Sequence, residues 1–89
     1  MAYKYIEKRL KEILEDIVRK ENRQKIDETP LCYYDNKFMD CSIMVKPTIN
    51  DMIYPLDVIT RYVSTDIGEV IIRYIRCTTA VMIMASVKI

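Results

Sequence analysis

Apolar residues recur every three or four positions through the first quarter of the chain, where Ile6, Leu10, Ile13, Leu14, Ile17 and Val18 form one stripe among charged neighbours. A period of this kind predicts an amphipathic helix from Tyr3 to about Gln24. Its polar side carries acid-before-base pairs four residues apart: Glu7 with Lys11, Glu15 with Arg19, Asp16 with Lys20 and Glu21 with Lys25. Each such pair stabilises a solvated helix by ~0.2–0.5 kcal/mol. The stripe stops at Val18 while helix-forming polar residues continue, so Arg19 to Lys25 are expected to extend past the core. Asp27-Glu28-Thr29-Pro30 ends the helix, because proline lacks a donor and disfavours helical geometry in the residue before it.

From Leu31 onward the pattern changes to short runs rich in β-branched and aromatic residues. Leu31 to Tyr34, Asp35-Asn36-Lys37 and Phe38 to Lys46 read as strand, turn and strand. Pro47 to Pro55 reads as a connection with one short helical turn. Leu56 to Ser64 fits a strand, although Leu56, Ile59, Tyr62 and Val63 also match a helix starting after Pro55; the β-branched Val58-Ile59-Thr60 favours the strand. Gly68, the only glycine, predicts the return of a hairpin after Thr65-Asp66-Ile67, since it takes a positive φ without steric cost. If Ser64 faces Glu69, then Val63 faces Val70, Arg61 faces Ile72 and Ile59 faces Tyr74. This gathers Ile59, Val63, Val70, Ile72 and Tyr74 on the face expected under the helix. Ala80 to Ile89 completes a C-terminal meander. The fold class is α+β, one domain over residues 1–89, with the N-terminal helix packed on an antiparallel sheet of about four or five strands.

Ala80 to Val87 is apolar on both alternating sets, and a strand of that kind needs cover on both faces. One helix covers one face. Either Met82 and Met84 or Val81 and Ile83 then point outward, and self-association through Val81, Met82, Ile83 and Met84 is the expected remedy. The competing reading puts the segment centrally, with Pro47 to Pro55 packed across its second face.

Charge adds asymmetry to this picture. The chain is nearly neutral, at +1, yet residues 1–25 hold eight cations and five anions, residues 26–69 three and eight, and residues 70–89 three and none. A +3, −5, +3 arrangement suits oriented association with a partner or a second copy. The alternative expectation is nucleic-acid binding through Arg19, Lys20, Arg23 and Lys25 at the helix end and Arg61, Arg73 and Arg76 among tyrosines on the strands.

Chemistry is narrowed mostly by what the composition lacks. With no histidine, imidazole catalysis and imidazole metal ligation are excluded. One glycine cannot build a phosphate-binding loop. Asp35, Asp40, Asp51 and Asp57 offer oxygen donors, but turn aspartates ordinarily bond their own backbone, so no metal or cofactor is expected. Cys32, Cys41 and Cys77 lack CxxC spacing and read as buried, reduced thiols, with one disulfide plus a spare thiol as the other arrangement. No secretory leader or membrane span is legible, and a cytoplasmic location is expected. Scarce Gly, Gln and His with abundant Ile, Lys and Glu resembles small proteins of thermophilic archaea and their viruses. The overall expectation is a non-enzymatic interaction or regulatory module acting as a homodimer.

Overall fold

The computed structural model describes residues 3–53 and 58–89. Helix α1 (Tyr3–Lys20) buries Ile6, Leu10, Leu14 and Val18, a row at intervals of four, with Ile13 and Ile17 packed beside it. Each fully buried side chain of this size contributes ~1.5–3 kcal/mol. The helix ends four residues before the expected Gln24. Asn22 takes a left-handed conformation, φ 53°, and the chain reverses there. The Arg23 N–H donates to the Val18 carbonyl at 2.9 Å and the Asn22 N–H to that of Arg19 at 3.1 Å, the pair of bonds that closes a Schellman cap.

The overhanging helical extension is therefore corrected. Gln24 to Asp27 drop to the edge of the sheet instead. The Ile26 N–H donates to the Met44 carbonyl and the Lys46 N–H to that of Gln24, each at 2.8 Å, and the Asp27 carboxylate accepts from the Met44 N–H.

Five strands follow: β1 (Leu31–Tyr34), β2 (Phe38–Val45), β3 (Val58–Thr65), β4 (Gly68–Arg76) and β5 (Val81–Lys88), with a short helix α2 (Ile49–Ile53) between β2 and β3. They form one antiparallel sheet in the order β1-β2-β5-β4-β3. The sheet is thus two hairpins joined through β5, which lies at its centre. In that place β5 has a hydrogen-bonded neighbour along each edge, while α1 covers only one of its faces. Helix α1 crosses β2 and β5. Beneath it lie Met39, Cys41, Ile43 and Val45 of β2, Val81, Ile83, Ala85 and Val87 of β5, and Val70 and Ile72 of β4.

The β3–β4 register is the expected one, with Ser64 opposite Glu69 and Ile59 opposite Tyr74. The expectation that this hairpin lies directly under the helix holds only in part. Val70 and Ile72 are buried, while Val63, on the edge strand, is 37% exposed. Gly68 has φ 109°, and the Thr65 hydroxyl closes the turn by donating to its carbonyl at 2.7 Å. Asp66 at the turn tip accepts from Tyr5 and from the Arg9 guanidinium at 2.9 Å, tying the start of α1 to the hairpin and holding its carboxyl below the ordinary range.

In the first hairpin the Asp35 carboxylate accepts from the Lys37 and Phe38 N–H groups at 2.8 and 2.9 Å, so this aspartate serves the turn. The same register sets Cys32 opposite Cys41, with Cα atoms 4.0 Å apart, and the two form a disulfide. The reading of reduced thiols is corrected for this pair, while Cys77 is free. The strand expected from Leu56 is described only from Val58; Leu56 and Asp57 lie outside the described residues, as does Pro55.

Candidate functional site

Alternation along each strand fixes what the sheet presents on the side away from α1. Met82 and Met84 point outward and Val81 and Ile83 face the helix, at 3% and 0% exposure, so of the four residues expected to mediate association only the methionines are on the outer face. Three cross-strand rows follow from the register. One is Met44, Met82 and Ile75; the next is Leu31, Ser42, Met84, Arg73 and Thr60; the third is Tyr33, Asp40, Ser86, Ile71 and Tyr62. The middle of this surface is half-buried, shielded by neighbours in the same sheet, and its margins are open, with Leu31, Tyr33 and Tyr62 each more than half exposed. No described helix packs over it.

Four strands of eight or nine residues give a flat footprint of ~500 Å², from ~4.8 Å between strands and ~3.3 Å per residue. β1 adds about 60 Å², against the ~800 Å² that each partner buries in a standard interface. Methionine is unbranched and polarisable, and fits a surface that must mould to another. The same face holds a depression of about 240 Å³ lined by Asp35, Phe38, Asp40, Ile71, Arg73 and Ser86. Ser86 Oγ is buried at 2% exposure with no hydrogen-bond partner among the described residues. An orphaned hydroxyl of this kind costs ~1–3 kcal/mol. Asp40 and Arg73 stand on either side of it, and neither makes an ion pair among the described residues.

A second cluster lies at the helix-side end of the sheet. The Arg23 side chain, 6% exposed, makes two 2.8 Å bonds to the Asp51 carboxylate and one of 2.7 Å to Glu21. Asp51 also accepts from the Thr48 N–H at 2.7 Å, capping α2. The Arg23 guanidinium holds the Asp51 carboxyl down to about 2, and the Arg23 pKa rises in return. The Arg23 and Arg61 guanidinium carbons lie 5.7 and 5.8 Å from the centroid of the Tyr74 ring. Burial first, then the bond its hydroxyl donates to Glu21, pushes the Tyr74 phenol up to about 12. A phenol held protonated beside charges that satisfy one another is a clamp, closing α1 and α2 onto the end of β4.

These contacts redistribute the cations expected to bind nucleic acid. Arg23 is consumed by Asp51, and Lys25 reaches Glu15 at 3.1 Å and the Glu28 carbonyl at 3.0 Å. Arg19 and Lys20 both pair with Asp16 on the exposed helix end. Arg61 lies against Tyr74, and Arg76 reaches the Asp51 carbonyl at 3.4 Å. Arg73 alone is on the outer face. The seven are not one stripe. Asp40, Ser86 and Arg73 as an outer-face group were not legible in advance, because their juxtaposition needs the β2-β5-β4 order.

In comparisons with known proteins, the chain matches no family model, no curated protein and no solved structure. Among the described residues no helix is long and apolar enough to cross a membrane.

Proposed function

We propose that this protein is a non-enzymatic interaction module that forms a homodimer by packing the outer faces of two sheets together. The observation that carries the reading is the row of Met44, Met82 and Ile75 on a sheet whose other side alone is covered by α1. Face-to-face packing of two such sheets, at the usual ~10 Å separation, gives each copy the second layer it lacks. The near-neutral net charge of +1 leaves little repulsion between copies. A cytosolic location accords with the Cys32–Cys41 disulfide where the cytosol tolerates disulfides, as in hyperthermophilic archaea, which suits the composition. Nucleic-acid binding has less support, since Arg23 and Lys25 are already paired within the chain.

Sedimentation equilibrium of the wild type and of Met82→Glu tests the proposal. The wild type is expected to sediment at twice 10.6 kDa at micromolar concentration. Met82→Glu sets an unpaired charge among Met44 and Ile75 and is expected to be monomeric with an unchanged circular dichroism spectrum. Equal association by both proteins would count against this face.

A further inference from the structure

Asp40 and Arg73 are opposite charges flanking the Met84–Ser86 stretch of the outer face, each half-buried and without an ionic partner among the described residues, while Lys88 at the end of the same strand face is exposed. They sit on β2 and β4, with β5 between them. Asp40 is in the row of Ser86, and Arg73 is one row away, in that of Met84. Their Cα atoms are therefore ~12 Å apart along the diagonal, from ~4.8 Å per strand and ~3.3 Å per residue. The midpoint of that diagonal falls on β5 between Ser86 and Met84, the centre of the sheet.

We propose that these two residues set the register of the homodimer: Arg73 of each copy enters the depression of the other and pairs with its Asp40 over Ser86. This rests on the self-association reading above. A two-fold axis lying between the sheets and crossing the middle of the diagonal exchanges the two positions, so a single contact is made twice, as an isologous interface requires. The incoming guanidinium carries five donors, enough for the Asp40 carboxylate and the Ser86 hydroxyl together. Within one chain this pairing would leave the half-buried apolar rows on either side of Ser86 without a second layer. A second copy covers both. The ion pairs reject other registers, since a shifted or inverted packing buries both charges against methionine.

Charge reversal followed by sedimentation equilibrium tests this. Asp40→Arg and Arg73→Asp are each expected to weaken dimerisation by about a hundredfold, because each breaks two symmetric contacts and sets like charges face to face. The double variant Asp40→Arg/Arg73→Asp is expected to recover association to within about tenfold of the wild type, since every pair is restored with its sign inverted. Circular dichroism and thermal melts check the fold. Should a reversal prevent folding, Asp40→Asn and Arg73→Gln, with their double variant, give the coupling in its place. A dimeric wild type with no loss in the single variants, or no recovery in the double, overturns the pairing and leaves self-association standing. A wild type that is monomeric up to millimolar concentration overturns both.

Discussion

Single residues decide where the elements stop. Asn22 ends α1 because its short polar side chain tolerates φ 53°, and no glycine is present there to do so. Asn22→Val is expected to cost about 1–2 kcal/mol in a denaturant titration, whereas Asn22→Gly should be neutral or slightly stabilising. The sequence pattern placed the end of the helix at Gln24 because Glu21, Arg23, Gln24 and Lys25 all favour helix; what overrides them is the turn at Asn22 and the hydrogen bonds of Gln24 and Ile26 to the β2 edge. Asp51 makes the largest resolved contribution to the pH response, beside smaller ones from Asp16, Asp35 and Asp66. Its carboxyl lies at about 2 when folded against an ordinary 3.8, so Arg23 stabilises the folded state above pH 4 and that stabilisation is lost as pH falls toward 2. The loss is worth about 2 kcal/mol, with each pKa unit near 1.4 kcal/mol. Chemical denaturation from pH 5 to pH 2 is expected to show that loss in the wild type and a flatter profile in Asp51→Asn, which starts less stable at pH 7.

At the scale of elements, hairpins were the most legible feature. Asp35-Asn36-Lys37 and Gly68 each mark a return whose chemistry is local; the Gly68 turn gave its register, whereas the first hairpin pairs Tyr34 with Met39, one residue beyond what a turn over Asp35-Asn36-Lys37 implies. The disulfide was latent in the first of them: once Tyr34 faces Met39, Cys32 must face Cys41, which a count of cysteine spacing alone does not reveal. The placement of β5 between β2 and β4 was not legible, because pairing between distant strands depends on which apolar faces meet beneath α1 and leaves no trace at a turn. Its double-sided apolar pattern favoured self-association, with a central place as the competing reading, and named no neighbours for it. The disulfide closes a short loop, so its removal by Cys32→Ala/Cys41→Ala is expected to cost at most about 2–3 kcal/mol and to free mainly β1, whose Leu31, Tyr33 and Tyr34 are exposed. Thiol titration of the unfolded protein should find one free thiol per chain before reduction and three after; three before reduction would show the bond does not form.

For the whole molecule, α1 and one five-stranded sheet make two layers, and β5, apolar on both alternating sets, calls for a third. The inner layer accounts for Val81 and Ile83, and on the outer side Met44, Met82 and Met84 are half-buried, with no described helix packed over them. The excess of apolar surface was legible from Ala80 to Val87 alone, but which pair faced outward needed the register. The described part of the Pro47 to Pro55 connection does not provide the missing layer, since Asp51 anchors it to Arg23 at the helix-side end. Peroxide oxidation of the methionines, followed by mass spectrometry at several protein concentrations, tests most directly whether a second copy does. Oxidation of Met44, Met82 and Met84 should slow as concentration rises through the dimerisation range, while Met39, buried under α1 at 1% exposure, stays slow throughout. Rates for the three outer methionines that do not change with concentration would contradict the account.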